Sequence, residues 1–228
     1  MIDLYNICLD GKCLKSPYGK ILKTNSEGLA HAIVQEWISQ KDIIDKSNMH
    51  FTTMLNMSLD NPQKLSKDAL ITSLLSFLEN DTLCYRNDGE ELYMLQSKLW
   101  DPLIDWFEKR FNVKVNSTVT LLNPITDSNS KERLTRHLFS HSFEVLTGYK
   151  YSCEASRSLI ITCALMEGTI DSEKAANLAL LEQNFQIQKW GNVEWSHDIH
   201  ECDVISRLAS SYIFCHFNQE ISNIQSIS

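Results

Sequence analysis

The hydrophobic period of this chain changes near residue 25, and no other feature constrains the fold as strongly. Before that point, "YNICLDGKCL" sets two short apolar runs on either side of Asp10-Gly11. This is the two-residue hairpin signal, in which glycine accepts a positive φ. "SPYGK" at 16–20 reads as a second turn and "ILKT" as a further strand. After residue 25 the apolar residues recur at helical spacing. Ser26 can cap a helix reaching about Gln40, with Leu29, Ala32, Ile33 and Trp37 on one face. "MHFTTMLNMSLDNP" breaks at Asn61-Pro62, and Ser66 can cap "KDALITSLLSFLEND", where Leu70, Leu74 and Leu78 form a buried stripe.

A helix is predicted from about Glu90 through Leu92, Leu95 and Leu99. Asp101-Pro102 reads as the N-cap and first turn of a separate helix, "LIDWFEKRF", because proline fits a first turn better than an interior. "NVKVNSTVTLL" reads as one or two strands, and "NPITDSNSK" is the most linker-like segment. Further helices are expected over about 131–141, 142–150, 155–167, 172–189 and 193–217. Only seven Gly and four Pro occur in 228 residues, which argues against an all-β chain full of tight turns.

Charge and motifs remove several classes of function. The net charge of −8 is a poor footprint for nucleic acid or for an anionic membrane surface. No apolar run approaches the ~20 residues that span a bilayer, and "SLIITCALM" at 158–166 suits a buried helix. Cys8, Cys13, Cys84, Cys153, Cys163, Cys202 and Cys215 are odd in number and irregular in spacing, without a CxxC. Reduced thiols in an intracellular compartment are therefore expected. No signal peptide opens the chain. GxxxxGK[ST], GxGxxG, GxSxG and HExxH are all absent, which disfavours nucleotide-driven and common hydrolytic chemistry.

Two places could still carry chemistry. In "QNFQIQKWGNVEWSHDIHECD" at 183–203, His197 and His200 are neighbours on a helix and could share an ion with Glu194 or Glu201, while Cys202 points to the far side. In the bland alternative, Trp195, Ile199, Cys202 and Leu208 or Ala209 form a core stripe and the histidines lie at its solvated edge. In "DTLCYR" at 81–86, Cys84 beside Arg86 could be an activated thiol. The structural alternative has Tyr85 and Arg86 anchoring a turn, with Arg86 pairing Asp81 or another carboxylate. Each of the five tryptophans, Trp37, Trp100, Trp106, Trp190 and Trp195, suits either a core or a protein interface.

Six stretches in order then resemble one family: "LDGKCLKSPYGK", "EWISQ", "MHFTTMLNMSLDNP", "ENDTLCYR", "WDPLIDW" and "LLEQNFQIQKWGNVEW". The chain is similar, from about Tyr5 to Phe217, to the assembly chaperones of the mitochondrial ATP synthase catalytic head, the F(1) complex assembly factor 2 family. The resemblance implies an α+β fold: a small β-rich N-terminal domain with one helix over residues 1–60, then a larger mainly α-helical domain over 61–228. It implies a non-catalytic protein without cofactors that binds the free alpha subunit of the head and prevents its aggregation before it pairs with beta. The implied compartment is the mitochondrial matrix, with the transit peptide absent from this chain. The alternative is the cytoplasm of a bacterium related to mitochondria. A monomer is expected, with no nucleic-acid partner and no membrane insertion.

Glu182, Gln186, Trp190 and Glu194 are the expected partner-binding residues. Leu178, Leu181 and Phe185 mark a buried stripe, and Glu182 sits at its margin. It either pairs within the molecule, for instance with an Arg, or meets a basic group on the client. A small thiol- or metal-dependent enzyme using Cys84 or His197 and His200 is the competing expectation.

Overall fold

The computed structural model of the chain describes residues 4–118, 128–191 and 195–225. β1 (Tyr5–Asn6) pairs antiparallel with β4 (Lys23–Thr24), and β2 (Cys8–Leu9) with β3 (Lys12–Cys13). Asp10 (φ 50°) and Gly11 (φ 76°) make the turn between β2 and β3, both in the left-handed region that a tight hairpin needs. The second turn closes where Ser16 N–H donates to the Lys20 carbonyl at 2.7 Å. Each strand is only two residues long, and this layer is held by its core side, where Ile7 and Leu22 are buried. The class is α+β, with little β structure.

Ten helices follow among the described residues: α1 (Glu27–Ile38), α2 (His50–Asp60), α3 (Lys67–Glu79), α4 (Glu90–Phe111), α5 (Ser128–Phe139), α6 (Phe143–Ser156), α7 (Leu159–Met166), α8 (Ser172–Ala179), α9 (Leu181–Trp190) and α10 (Ser196–Gln225). The predicted caps are real. Ser26 Oγ accepts from Leu29 N–H and Ser66 Oγ from Ala69 N–H, each satisfying a first-turn donor. Asn61 ends α2 in the left-handed conformation at φ 41°. Leu29, Ala30 and Ile33 are the buried face of α1, while Ala32 and Trp37 are half-buried at its edge.

Four expectations need correction. Pro102 does not start a helix: α4 runs unbroken from Glu90 to Phe111. Pro102 and Lys98 are both exposed, so water can hydrate the carbonyl that loses its helical donor, and the lost bond leaves no buried polar group. The buried face of α4 is Leu92, Gln96, Trp100, Leu103, Ile104, Phe107 and Phe111, with Leu99 exposed. Helix 172–189 is two helices broken at Leu180, and helix 155–167 begins only at Leu159, because Arg157 at φ 55° ends α6. Residues 113–118 form no named strand, and Thr118 makes a single parallel bridge to Tyr85. The rest of that predicted strand and most of the linker-like segment lie outside the described residues.

Two apolar clusters organise the fold. The larger is centred on α6 and α7, whose residues 159–165 are all buried, and it takes in α3, α4, α5, α8 and the middle of α10. The smaller joins the strands, α1 and α2 through Ile7, Leu22, Leu29, Ile33, Met54 and Leu55 to Tyr151 of α6 and Phe214 of α10. α6 and α10 approach closely at Gly148, where a Cβ would lie 2.4 Å from Cys215 Sγ and 3.3 Å from the Phe214 ring. Both neighbours are buried in the helix-α10 stripe and have little room to withdraw. Gly148→Ala is therefore expected to destabilise the fold by about 1–3 kcal/mol through overpacking, despite the better helix propensity of alanine. Thermal melting checks it, and an unchanged or raised melting temperature would refute it.

Candidate functional site

The candidate site is built on α9. Leu180, at φ −98° and ψ 13°, closes α8 and starts α9 without a side-chain cap. Trp100 of α4 fixes this junction: its Nε1 donates to the Leu178 carbonyl at 3.0 Å. Leu178 and Leu181 are buried beside it, so α9 leaves the core in a set direction along the N-terminal half of α4. Glu182, Gln186 and Trp190 then recur at i, i+4 and i+8, within about 80° of arc on one side of the helix.

The first of these reaches into the protein. Glu182 Oε1 accepts a hydrogen bond from Gln96 Nε2 at 2.6 Å. Gln96 is fully buried, and its Oε1 accepts from Asn87 N–H at 2.9 Å. The half-buried Glu182 carboxylate thus satisfies a buried amide and ties α9 to α4. It does pair within the molecule, with a glutamine where an arginine was one possibility. Further along, Lys189 Nζ pairs with Glu91 at 2.7 Å and lies 5.2 Å from the Phe185 ring centroid. The hydrogen bond and charge of Lys189 hold the exposed Glu91 carboxyl below its ordinary value. Between α9 and the start of α4 runs an open groove of about 400 Å³, lined by Asn87, Glu90, Phe185, Gln186 and Trp190.

Trp190 is 75% exposed, and Gly191 at φ 92° turns the chain after it. Residues 192–194, and with them Glu194, lie outside the described residues. On the far side, Trp195 is 76% and Ile199 64% exposed. These two and Cys202 do not form the core stripe allowed for in the sequence. Among the described residues α10 is buried from Val204 onward, through Leu208, Ser211, Phe214 and Cys215, and Trp195 and Ile199 before it are exposed. Large apolar side chains therefore stand in solvent on both sides of Gly191, with an acidic and amide-bearing stripe beside them.

The chemistry needed by a thiol enzyme is not assembled at Cys84. The thiol is fully buried, and desolvation, reinforced by the negative charge of Asp81, pushes it far above its ordinary value, against the direction a nucleophile needs. Arg86 pairs with Asp101 at 2.5 Å and stacks over Trp100, 5.1 Å from its ring centroid, so it anchors the turn, and Asp81 is not its partner. Asp81 instead accepts from the backbone N–H groups of Leu83, Leu159 and Ile160. His200 is exposed and His197 half-buried on the first turns of α10. Among the described residues no group of three or more His, Cys, Asp and Glu could hold a metal ion. Gln96 is the site residue that pattern reading missed. Its signal was an amide at a stripe position, four residues after Leu92 and four before Trp100.

The family model described as ATP12 chaperone protein matches residues 2–108. The mitochondrial protein atp12 of Schizosaccharomyces pombe is 33% identical over 219 residues, covering 91% of this chain and 75% of the relative. The mitochondrial protein ATP12 of Saccharomyces cerevisiae is 23% identical over 248 residues, covering 90% of this chain and 76% of the relative. The crystal structure of Atp12 from Paracoccus denitrificans superposes with a TM-score of 0.80 at 27% identity, over 95% of each chain. A crystal structure from Agrobacterium tumefaciens, at 24% identity and a TM-score of 0.83, covers 93% of this chain and 83% of its own and shares the fold. With one relative a third identical over most of both chains, the chain belongs to the ATP12 family of chaperones, which are not enzymes.

Proposed function

We propose that this protein is an assembly chaperone of the ATP synthase catalytic head that holds the free alpha subunit, and keeps it from aggregating, until alpha pairs with beta. The observation that carries this reading is the exposure of Trp190, Trp195 and Ile199 around Gly191. Large exposed apolar side chains are costly in a free monomer unless they serve contact, and tryptophan is the residue most enriched among those that dominate interface energies. An unassembled subunit exposes the complementary hazard, apolar surface meant for its neighbour. Glu182 and Gln186 supply the polar edge of the same face, and Glu194 is proposed to join them. The protein acts as a monomer, in the mitochondrial matrix in keeping with relatives named mitochondrial. A bacterial cytoplasm is the alternative that the Paracoccus structure supports.

The test is capture of purified alpha subunit, set against capture of the assembled head. Free alpha should bind and the complete head should not. Equal capture of both would overturn the reading. Trp190→Ser is expected to leave the melting temperature unchanged, because the side chain is 75% exposed, and to weaken alpha capture by about thirty-fold or more. Undiminished capture by this variant would remove Trp190 from the contact face.

A further inference from the structure

The hairpin that opens the chain places two thiols together. Leu14 N–H donates to the Ile7 carbonyl at 2.8 Å, a ladder bond just outside residues 8 and 13. Cys8 and Cys13 are directly opposed in register, one step from Leu9 and Lys12 that flank the two-residue turn, and so occupy a non-hydrogen-bonded position. Such pairs hold their Cα atoms about 4.5 Å apart with side chains facing each other, inside the ~4.4–6.8 Å that a disulfide spans. The two Sγ atoms lie 3.1 Å apart in a thiol–thiol hydrogen bond, and both side chains are exposed. The remaining cysteines differ: Cys84, Cys153, Cys163 and Cys215 are buried, and Cys202 is exposed on another element, at the start of α10.

We propose that Cys8 and Cys13 form a reversible dithiol–disulfide site, closed by exchange with a low-molecular-weight disulfide. One of the pair, as thiolate, attacks a sulfur of the small disulfide, forms a mixed disulfide and releases one small thiolate. The second cysteine, as thiolate, attacks the sulfur of the first, closes the Cys8–Cys13 bond and releases the other small thiolate. The protein loses two protons and two electrons, and the small disulfide is reduced to two thiols. The hairpin register brings the second sulfur into position before the first has reacted, so closure requires rotation about the side chains and not backbone movement. Elsewhere in the chain an exposed thiol can only stop at the mixed disulfide.

The experiment exposes the full-length protein to oxidised glutathione and reads intact mass and peptide maps, before and after a thiol reductant. The wild type is expected to lose about 2 Da at the Cys8–Cys13 pair, two hydrogens, and to recover them on reduction. Cys202 should take a glutathione adduct in every form. Cys8→Ser and Cys13→Ser should each leave the surviving hairpin thiol as a stable adduct, as at Cys202. Adducts retained at Cys8 or Cys13 in the wild type, an unreacted dithiol, or cross-linked pairs of chains would each overturn the proposal.

Discussion

Asp81→Ala is expected to lower the unfolding free energy by about 3 kcal/mol or more, a large share of what a domain of this size has in reserve. Asp81 is fully buried. Its Oδ1 accepts from Leu83 N–H at 3.1 Å, and its Oδ2 from Leu159 and Ile160 N–H at 2.8 and 3.1 Å. The last two are first-turn donors of α7, a helix whose residues 159–165 are all buried, so water cannot easily replace the carboxylate. Alanine would strand three donors at about 1–3 kcal/mol each before relaxation.

The same group makes the cost depend on pH. Burial raises the Asp81 carboxyl to about 6, against the pull of its hydrogen bonds from Ser158 and the backbone. The unfolded value is near ~3.9, so between the two the folded protein keeps a proton that the unfolded chain has given up. That contribution to stability is fully present below about pH 4 and is lost as pH rises through about 6. Asp81→Asn cannot titrate. Its destabilisation should therefore be larger at pH 5 than at pH 7, by roughly 1.3 kcal/mol. Denaturant unfolding of both proteins at the two pH values measures this. A cost that does not grow on acidification would show that Asp81 is held as the carboxylate throughout.

Charge reversal at Glu182 is expected to weaken alpha capture by about thirty-fold to several thousand-fold, the range that follows from losing roughly 2–5 kcal/mol at a desolvated charge contact. Position alone suggests that such a change leaves the fold intact, but the structure adds a second effect. Lysine cannot accept from Gln96 Nε2, so Glu182→Lys strands a buried amide donor at about 1–3 kcal/mol. Glu182→Gln separates the two, because its Oε1 still accepts from Gln96 while the charge is gone. If the charge meets the client, the glutamine variant melts like the wild type and captures alpha poorly. If Glu182 serves only to hold Gln96, the glutamine variant captures alpha normally, and the lysine variant fails in proportion to its lower melting temperature.

How far the site could be read from the sequence varies residue by residue. Gly191 as the end of a helix, Trp190 beside it and the marginal position of Glu182 all followed from spacing, because helical period and backbone preference are local properties. The break at Leu180 did not. No glycine or proline marks it, and it is set by the Trp100 hydrogen bond to the Leu178 carbonyl from a helix almost eighty residues away in sequence, a contact that local pattern cannot register. The thin N-terminal strands were legible as turns around Asp10-Gly11, but their length depended on how much of each ladder the core could cover.

The sequence by itself determined where α1 and α3 start, through Ser26 and Ser66, and which of their stripes are apolar, because capping and periodicity act within a few residues. It also determined that the catalytic motifs it could have carried are absent. Only the tertiary structure decided which apolar residues stay outside. Trp195 and Ile199 could form a core stripe on a helix taken alone, yet they stand in solvent, and among the described residues α10 is buried only from Val204. It likewise decided that Asp81 serves the start of α7 while Arg86 turns to Asp101, since a buried carboxylate goes to the unsatisfied donors nearest in space, and sequence distance does not enter that choice.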